Sequence, residues 1–106
     1  MDHPILNITP SPSDQAAATL IVSGEIDLNS VGALSVAVQT ALAEQPGRLT
    51  LDLGGVTFCD STGLGTFVVL SRKAASAQTV LVLANIDGYL RRTIDITGLD
   101  SILTIH

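Results

Sequence analysis

Cysteine and histidine, the residues most often used in metal sites and in catalysis, are scarce in this chain of 106 residues. The single cysteine, Cys59, cannot form an internal disulfide and leaves no cysteine cluster for a zinc ion. The histidines, His3 and His106, lie at the two termini, where flexible side chains rarely support a preorganised triad or metal site. We therefore expect no catalytic residues and no metal site, and we expect the reducing cytoplasm as the setting.

Basic and aromatic residues are also few. Five Lys and Arg stand against ten Asp and Glu, giving a net charge of −5, and the chain has two Phe, one Tyr and no Trp. Nucleic-acid binding depends on clustered basic groups that neutralise phosphates and on rings that stack with bases. We therefore expect no nucleic acid as a partner, whereas an acidic surface tolerates basic protein partners.

Long hydrophobic runs are missing as well. No segment approaches the ~20 apolar residues that a membrane-spanning helix needs. Residues 1–4 carry no basic region leading into an apolar run, so the sequence does not indicate a signal peptide. We expect a soluble protein with no membrane partner, and its size and charge suggest a monomer when it is free.

The usual phosphate-binding glycine motifs, GxGxxG and GxxxxGK[ST], do not occur. Glu25 and Asp27 form an acidic pair, but two carboxylates at a strand end more often cap or solvate the following turn. We therefore expect no cofactor and no enzymatic activity.

The chain is long enough and apolar enough for one core. Its length fits a single domain over residues 1–106, and 46% hydrophobic against 14% charged residues supply the buried material. Alternating or continuous apolar runs predict strands at Ile5–Ile8, Thr19–Val22, Leu49–Leu53, Val80–Ala84 and Ser101–Ile105. The second and fourth of these runs are expected to be buried on both faces. A loop is predicted at residues 9–18, which are rich in Pro and Ser, and a turn at Gly54-Gly55.

Apolar residues at spacings of three and four predict three helices between these strands. The first follows a cap at Asn29 or Ser30 and ends before Pro46-Gly47; the second covers residues 61–76; the third ends at Gly98, as a C-cap glycine would. Their apolar positions are Val31, Leu34, Val38, Ala41 and Leu42 in the first, Leu64, Phe67, Val68, Leu70 and Ala74 in the second, and Tyr89, Leu90, Ile94 and Ile96 in the third.

The order β, β, α, β, α, β, α, β predicts the α/β class. We expect a mostly parallel sheet of about five strands with helices packed against it and right-handed crossovers. The first two strands, joined by a loop, could pair antiparallel at one edge.

The most informative segment runs from Thr57 to Gly65. Asp60, Ser61 and Thr62 are all good N-cap residues before a helix, but a cap explains only one of them. It does not explain two glycines in an opening turn, where each costs about 1 kcal/mol in helix propensity. We interpret Gly63 and Gly65 as clearing space around an approachable Ser61 hydroxyl. The helix that follows is apolar around much of its circumference, so one flank is expected to be an exposed docking patch.

Cys59 lies beside Asp60, and this neighbour predicts a raised thiol pKa rather than an activated thiolate. A small apolar side chain at the end of a buried strand is the more common role of a free cysteine. We therefore assign Cys59 a structural role.

Asp60 to Gly65 read DSTGLG, Gly24 to Asp27 read GEID, and Gly98-Leu99 follow near the end of the chain. With this spacing the sequence resembles bacterial anti-sigma factor antagonists of the STAS domain family over essentially its whole length. The resemblance implies a STAS-like fold and a partner-switching role. The unphosphorylated antagonist binds an anti-sigma factor that is also a serine kinase, which frees the sigma factor, and phosphorylation by that kinase breaks the complex.

The resemblance also implies roles for individual residues. The family's phosphoacceptor falls on Ser61, and Thr62 takes the adjacent hydroxyl position that is not normally the acceptor. Asp27 matches the acidic residue of the family's GELD-like turn near the acceptor loop, with Ile26 in place of the usual Leu. The implied partner-binding residues are Asp27, Asp60, Ser61, Thr62, Gly63 and Leu64. The implied partners are the anti-sigma factor kinase and a phosphatase that acts on phosphorylated Ser61.

The sequence leaves two other functional hypotheses open. The same fold could serve as an accessory STAS domain in a transporter or a stress-sensing complex, with no sigma factor involved. A small enzyme or nucleotide-binding domain is a third possibility, against which the missing catalytic groups argue.

Overall fold

Strands and helices alternate along the chain in the predicted order. The computed structural model describes residues 6–11 and 16–106, and within these ranges it contains five strands and three α-helices. They are β1 (Asn7–Ser11), β2 (Ala17–Ile26), α1 (Val31–Leu42), β3 (Arg48–Cys59), α2 (Ser61–Ser76), β4 (Val80–Ala84), α3 (Gly88–Thr97) and β5 (Thr104–Ile105). The expected α/β class is confirmed.

One sheet joins the five described strands in the order β1-β2-β3-β4-β5. β1 runs antiparallel to β2, and every other neighbouring pair is parallel, as predicted. Because each parallel connection steps across the sheet in the same direction, right-handed crossovers place the three helices on one face.

Burial along β2 alternates as this single helical layer requires. Leu20 and Val22 of β2 are buried, whereas Ile21 between them is 44% exposed. Thr19–Val22 is therefore buried on one face only, and the prediction of two buried faces is wrong. In β4, the three consecutive residues Leu81 to Leu83 are buried, so the prediction of two buried faces is confirmed for the middle of this strand, while Val80 is 52% exposed. The helical layer supplies the predicted apolar positions, of which Leu34, Val38, Leu42, Leu64, Phe67, Leu70, Ala74, Leu90 and Ile94 are buried.

The first strand differs from the prediction. It was expected at Ile5–Ile8 with a loop over 9–18, but β1 spans Asn7–Ser11 and β2 already begins at Ala17. Pro10 sits inside β1 opposite Leu20, and a proline is tolerated there because β1 is the edge strand of the sheet that the described residues form. Ile5 and residues 12–15 lie outside the described residues.

The predicted turn at Gly54-Gly55 is also wrong, since β3 continues through both glycines to Cys59. Gly55 pairs with Ser23 where the β2–β3 register shifts. A Cβ on Gly55 would lie 2.6 Å from the Ser23 Cβ, so the glycine permits a close approach of two strands rather than a reversal. The two strands end together, with Ile26 of β2 opposite Cys59 of β3.

The end of the chain is strand only in part. Gly98 adopts φ 77° as the C-cap of α3, which confirms its predicted role. The backbone then forms a short 3-10 helix at Leu99–Ser101, so the predicted strand at Ser101–Ile105 shrinks to Thr104–Ile105. None of the described helices has the length and apolar character needed to cross a membrane.

The close approach at Gly55 predicts a measurable stability difference. Gly55→Ala should lower the free energy of unfolding by about 1–3 kcal/mol, because the new methyl group forces two strand backbones apart. Gly32→Ala in α1 is the matched control, since an added Cβ there meets no atom within 4 Å and alanine favours the helix. Urea unfolding of both variants checks this, and equal stability of Gly55→Ala and the unmodified chain would contradict the packing account.

Candidate functional site

The two sequence motifs meet at the ends of β2 and β3. Ile26 pairs with Cys59 in the parallel ladder, and the Asp60 amide donates a hydrogen bond to the Ile26 carbonyl at 3.2 Å. The GEID turn and the DSTGLG segment therefore leave the same edge of the sheet side by side. The structure thus brings the turn that carries Asp27 next to the start of α2.

Asp60 caps the N-terminus of α2. Its backbone is extended, its Oδ1 accepts a hydrogen bond from the Gly63 amide at 3.0 Å, and its carbonyl accepts one from the Leu64 amide at 3.0 Å. A carboxylate in this position also interacts favourably with the helix dipole. Of the candidate cap residues, Asp60 is the one that caps, which leaves the next two hydroxyls for other roles.

Ser61 is the first residue of α2, and its side chain is exposed. Its hydroxyl makes no hydrogen bond with any described residue, so it is not tied into the fold. Thr62 is half-buried, and its carbonyl accepts a hydrogen bond from the Thr66 hydroxyl at 2.8 Å. The more accessible of the two adjacent hydroxyls is therefore that of Ser61.

Gly63 and Leu64 lie beneath the surface. A Cβ on Gly63 would lie 2.5 Å from the Cys59 Sγ and 2.8 Å from the Ile26 Cγ2, so Gly63 lets the first turn of α2 rest directly on the strand ends. The interpretation that Gly63 clears space around Ser61 is wrong, because its missing side chain faces inward. Gly65, by contrast, faces open space, with nothing within 4 Å of an added Cβ.

The turn after β2 holds Asp27 in place through a network that includes Ser30. Ser30 Oγ accepts a hydrogen bond from the Asp27 amide at 3.0 Å and donates one to the Glu25 carbonyl at 2.8 Å. Asp27 Oδ1 accepts a hydrogen bond from the Asn29 amide at 2.9 Å. Ser30 occupies the predicted cap position, but its side chain caps no helical amide and instead braces this turn. Sequence reasoning missed that role, because a serine before a helix fits both.

Cys59 is half-buried under this site, with its Sγ 3.7 Å from the Asp60 carbonyl oxygen. Burial, and secondarily the Asp60 carboxylate, raises the pKa of the Cys59 thiol to about 12. The thiol stays protonated at neutral pH, as the sequence predicted, and packs as a small apolar group. Across residues 6–11 and 16–106, no three His, Cys, Asp or Glu side chains group in a way that could hold a metal ion. His106 is exposed, and His3 lies outside the described residues.

One exposed face of α2 starts at Ser61. Ser61, Gly65, Val69 and Arg72 follow one another at helical spacing, and all four are exposed, Val69 by 49%. The predicted apolar flank is therefore narrower than expected, since Leu64, Phe67 and Leu70 are buried. What remains exposed is a narrow strip of the helix surface that begins at Ser61 and has no side chain at Gly65.

Comparison of this chain with known proteins shows the family to which it belongs. A family model described as Mlab, STAS domain matches residues 11–104. The chain belongs to the STAS domain family.

Several STAS proteins resemble this chain closely. The anti-sigma-B factor antagonist of Bacillus subtilis is 39% identical over 84 residues, which cover 79% of this chain and 76% of that protein. A crystal structure of an anti-sigma factor antagonist from Mycobacterium paratuberculosis matches with a TM-score of 0.83 and 29% identity over 95% of this chain and 85% of that one. Both relatives are named as antagonists of anti-sigma factors, which agrees with the expectation that the chain is not an enzyme.

Two structures of a further protein share the fold. The Bacillus cell fate determinant SpoIIAA, an anti-sigma factor antagonist, is 17% identical over 94% of this chain in both forms solved. Its unphosphorylated form matches with a TM-score of 0.76 over 88% of that chain, and its phosphorylated form with 0.70 over 91%.

The two glycines of the STAS site predict opposite effects of the same substitution. Gly63→Ala should lower the free energy of unfolding by about 1–3 kcal/mol, because its methyl group meets the Cys59 Sγ and Ile26. Gly65→Ala should raise it by up to about 1 kcal/mol, because it adds helix propensity in open space. Thermal or urea unfolding of the two variants tests this. Equal effects would show that the first turn of α2 does not rest on the strand ends as described.

Proposed function

We propose that this protein is an anti-sigma factor antagonist whose binding is switched off by phosphorylation of Ser61. In its unphosphorylated form it binds an anti-sigma factor that is also a serine kinase, and this releases the sigma factor. The kinase transfers the γ-phosphate of ATP to the Ser61 hydroxyl, which gives phosphoserine, ADP and a proton. A phosphatase restores the binding form by hydrolysis.

The observation that carries this proposal is the exposed hydroxyl of Ser61 at the first position of α2, which makes no hydrogen bond with residues 6–11 or 16–106. A kinase must bring this oxygen in line with a phosphate, which a buried or hydrogen-bonded hydroxyl would resist. The amides and the dipole at the start of a helix favour negative charge, so the fold tolerates the product. The acceptor is thus placed where modification changes the surface and leaves the core intact.

The negative charge of a phosphate on Ser61 would weaken binding of the partner. A phosphate adds about −1.5 to −2 charges, and on Ser61 it would stand beside Asp60 and near the Asp27 turn. A partner surface that packs against a neutral hydroxyl would then have to desolvate a dianion next to carboxylates. That costs several kcal/mol, and about 2.7 kcal/mol already weakens binding a hundredfold.

The relatives support the role as well. The Bacillus subtilis relative carries the name of an anti-sigma-B factor antagonist, and SpoIIAA has been solved both with and without phosphate. Of the six residues proposed for this surface, Asp27, Asp60, Ser61 and Thr62 reach the solvent. Gly63 and Leu64 lie beneath them, and Gly63 lets the first turn of α2 rest on the strand ends.

Phosphosite mapping tests the proposal. The purified protein is incubated with ATP and each purified anti-sigma factor kinase of the source organism, beside Ser61→Ala and Thr62→Ala. We expect one phosphate on Ser61 in the unmodified chain and in Thr62→Ala, and none in Ser61→Ala. If no kinase modifies Ser61 while each phosphorylates its own known antagonist, the proposal fails. The alternative hypothesis, an accessory STAS domain of a transporter or a stress-sensing complex, then takes its place.

Binding of Ser61 variants gives a second test. Ser61→Ala should bind the anti-sigma factor as the unmodified chain does but should resist being switched off by ATP. Ser61→Asp should bind at least about a hundredfold more weakly, because it places a charge where the partner packs. Calorimetric titration measures both, with circular dichroism as the control for folding. Tight binding by a folded Ser61→Asp would contradict the electrostatic account.

A further inference from the structure

The three aromatic residues of the chain are distributed unevenly between core and surface. Phe67 is fully buried, whereas Phe58 is 48% exposed and Tyr89 is 75% exposed. Both exposed rings line one small cleft between the end of β3 and the first turn of α3. Aromatic side chains bury more apolar surface than most others, so two of them left exposed on one cleft call for an explanation.

The cleft follows from unequal strand lengths. The last pairing between β3 and β4 is Asp52 with Ala84, so the end of β3 has no strand on that side. The first turn of α3 covers this gap only in part. The cleft has a volume of about 40 Å³, and Leu53, Val56 and Leu90 are buried beneath it. Small-molecule sites measure roughly 300–1,000 Å³, so this cleft can take the end of one side chain and no cofactor.

The cleft is continuous with the Ser61 site. Cys59, which underlies the first turn of α2, also lines the cleft, and Phe58 stands two residues before the Asp60 cap. A protein that covers Ser61 and extends across the end of β3 would therefore meet Phe58 and Tyr89 next.

Carboxylates dominate the surroundings of the two rings. Asp87 lines the cleft, Glu25 is the β2 residue opposite Phe58, and Asp60 follows two residues later. On the basic side, Arg91 is paired with Asp95 at 3.3 Å, and Arg92, the other basic residue of α3, forms no ion pair with residues 6–11 or 16–106. The local charge is negative, and ring faces add a further preference for cations.

We propose that the Phe58–Tyr89 cleft is a second contact for the anti-sigma factor and receives an arginine or lysine side chain of that partner. The stem of such a side chain packs between the rings, and its charged end meets the surrounding carboxylates. Tyrosine and arginine, together with tryptophan, are enriched among the residues that dominate protein interfaces energetically. This inference rests on the proposed function and adds a contact that does not involve phosphate.

Tyr89 variants test the inference with the anti-sigma factor that phosphorylates Ser61. Tyr89 is largely exposed, so its substitution should leave the fold intact. We expect Tyr89→Ala to weaken binding by about tenfold or more, Tyr89→Phe to bind within about twofold of the unmodified chain, and Tyr89→Lys to bind more weakly than Tyr89→Ala. Val36→Ala is the matched control, since Val36 is an apolar residue 66% exposed on α1, and it should bind normally. Calorimetric titration at two salt concentrations supplies the dissociation constants.

The outcomes separate this inference from the proposed function. If Tyr89→Ala binds normally while the kinase still modifies Ser61, the cleft is not a contact and the antagonist role stands. If Tyr89→Lys binds as well as the unmodified chain or better, the occupant is not a cation and the inference is overturned. If no anti-sigma factor binds the unmodified chain, both proposals fail.

Discussion

The hydrogen bond from the Asp60 amide to the Ile26 carbonyl is the contact on which the site depends. It continues the parallel ladder of β2 and β3 by one residue, so the GEID turn and the start of α2 emerge together. Every other feature of the site builds on this junction. Asp60 caps α2, Ser30 braces the turn that carries Asp27, and Gly63 lets the helix sit on Ile26 and Cys59. The Ser61 hydroxyl is left exposed on a rigid base.

Under the proposed function, this arrangement would let a phosphate on Ser61 change binding without unfolding the protein. The groups that hold the first turn of α2 lie behind Ser61, in the cap and in the buried contact of Gly63 with the strand ends. None of them uses the Ser61 hydroxyl. A modification there alters the charge of the surface that a partner would meet, while the packing beneath stays the same. Separating the modified surface from the packing beneath it in this way suits a reversible switch.

The sequence predicts the order of elements and the start of α2 at Ser61 well, because apolar spacing and cap residues act locally. Its failures have non-local causes. Gly54-Gly55 was predicted as a turn because the close approach of Ser23 on another strand cannot be read from the sequence. Pro10 was predicted as a loop residue because the position of β1 at the edge of the sheet cannot be read from it either. The inward-facing Gly63 and the bracing role of Ser30 likewise depend on neighbours brought together by the fold. The exposure of Phe58 and Tyr89 depends on where β4 ends.

The most direct measurement compares the affinity of the protein for its anti-sigma factor with and without phosphate on Ser61, using material that carries phosphoserine at that position alone. The account predicts binding at least about a hundredfold weaker for the phosphorylated form, together with an unfolding temperature close to that of the unmodified protein. Equal affinities of the two forms would contradict it. So would a phosphorylated protein that loses affinity only because it no longer folds.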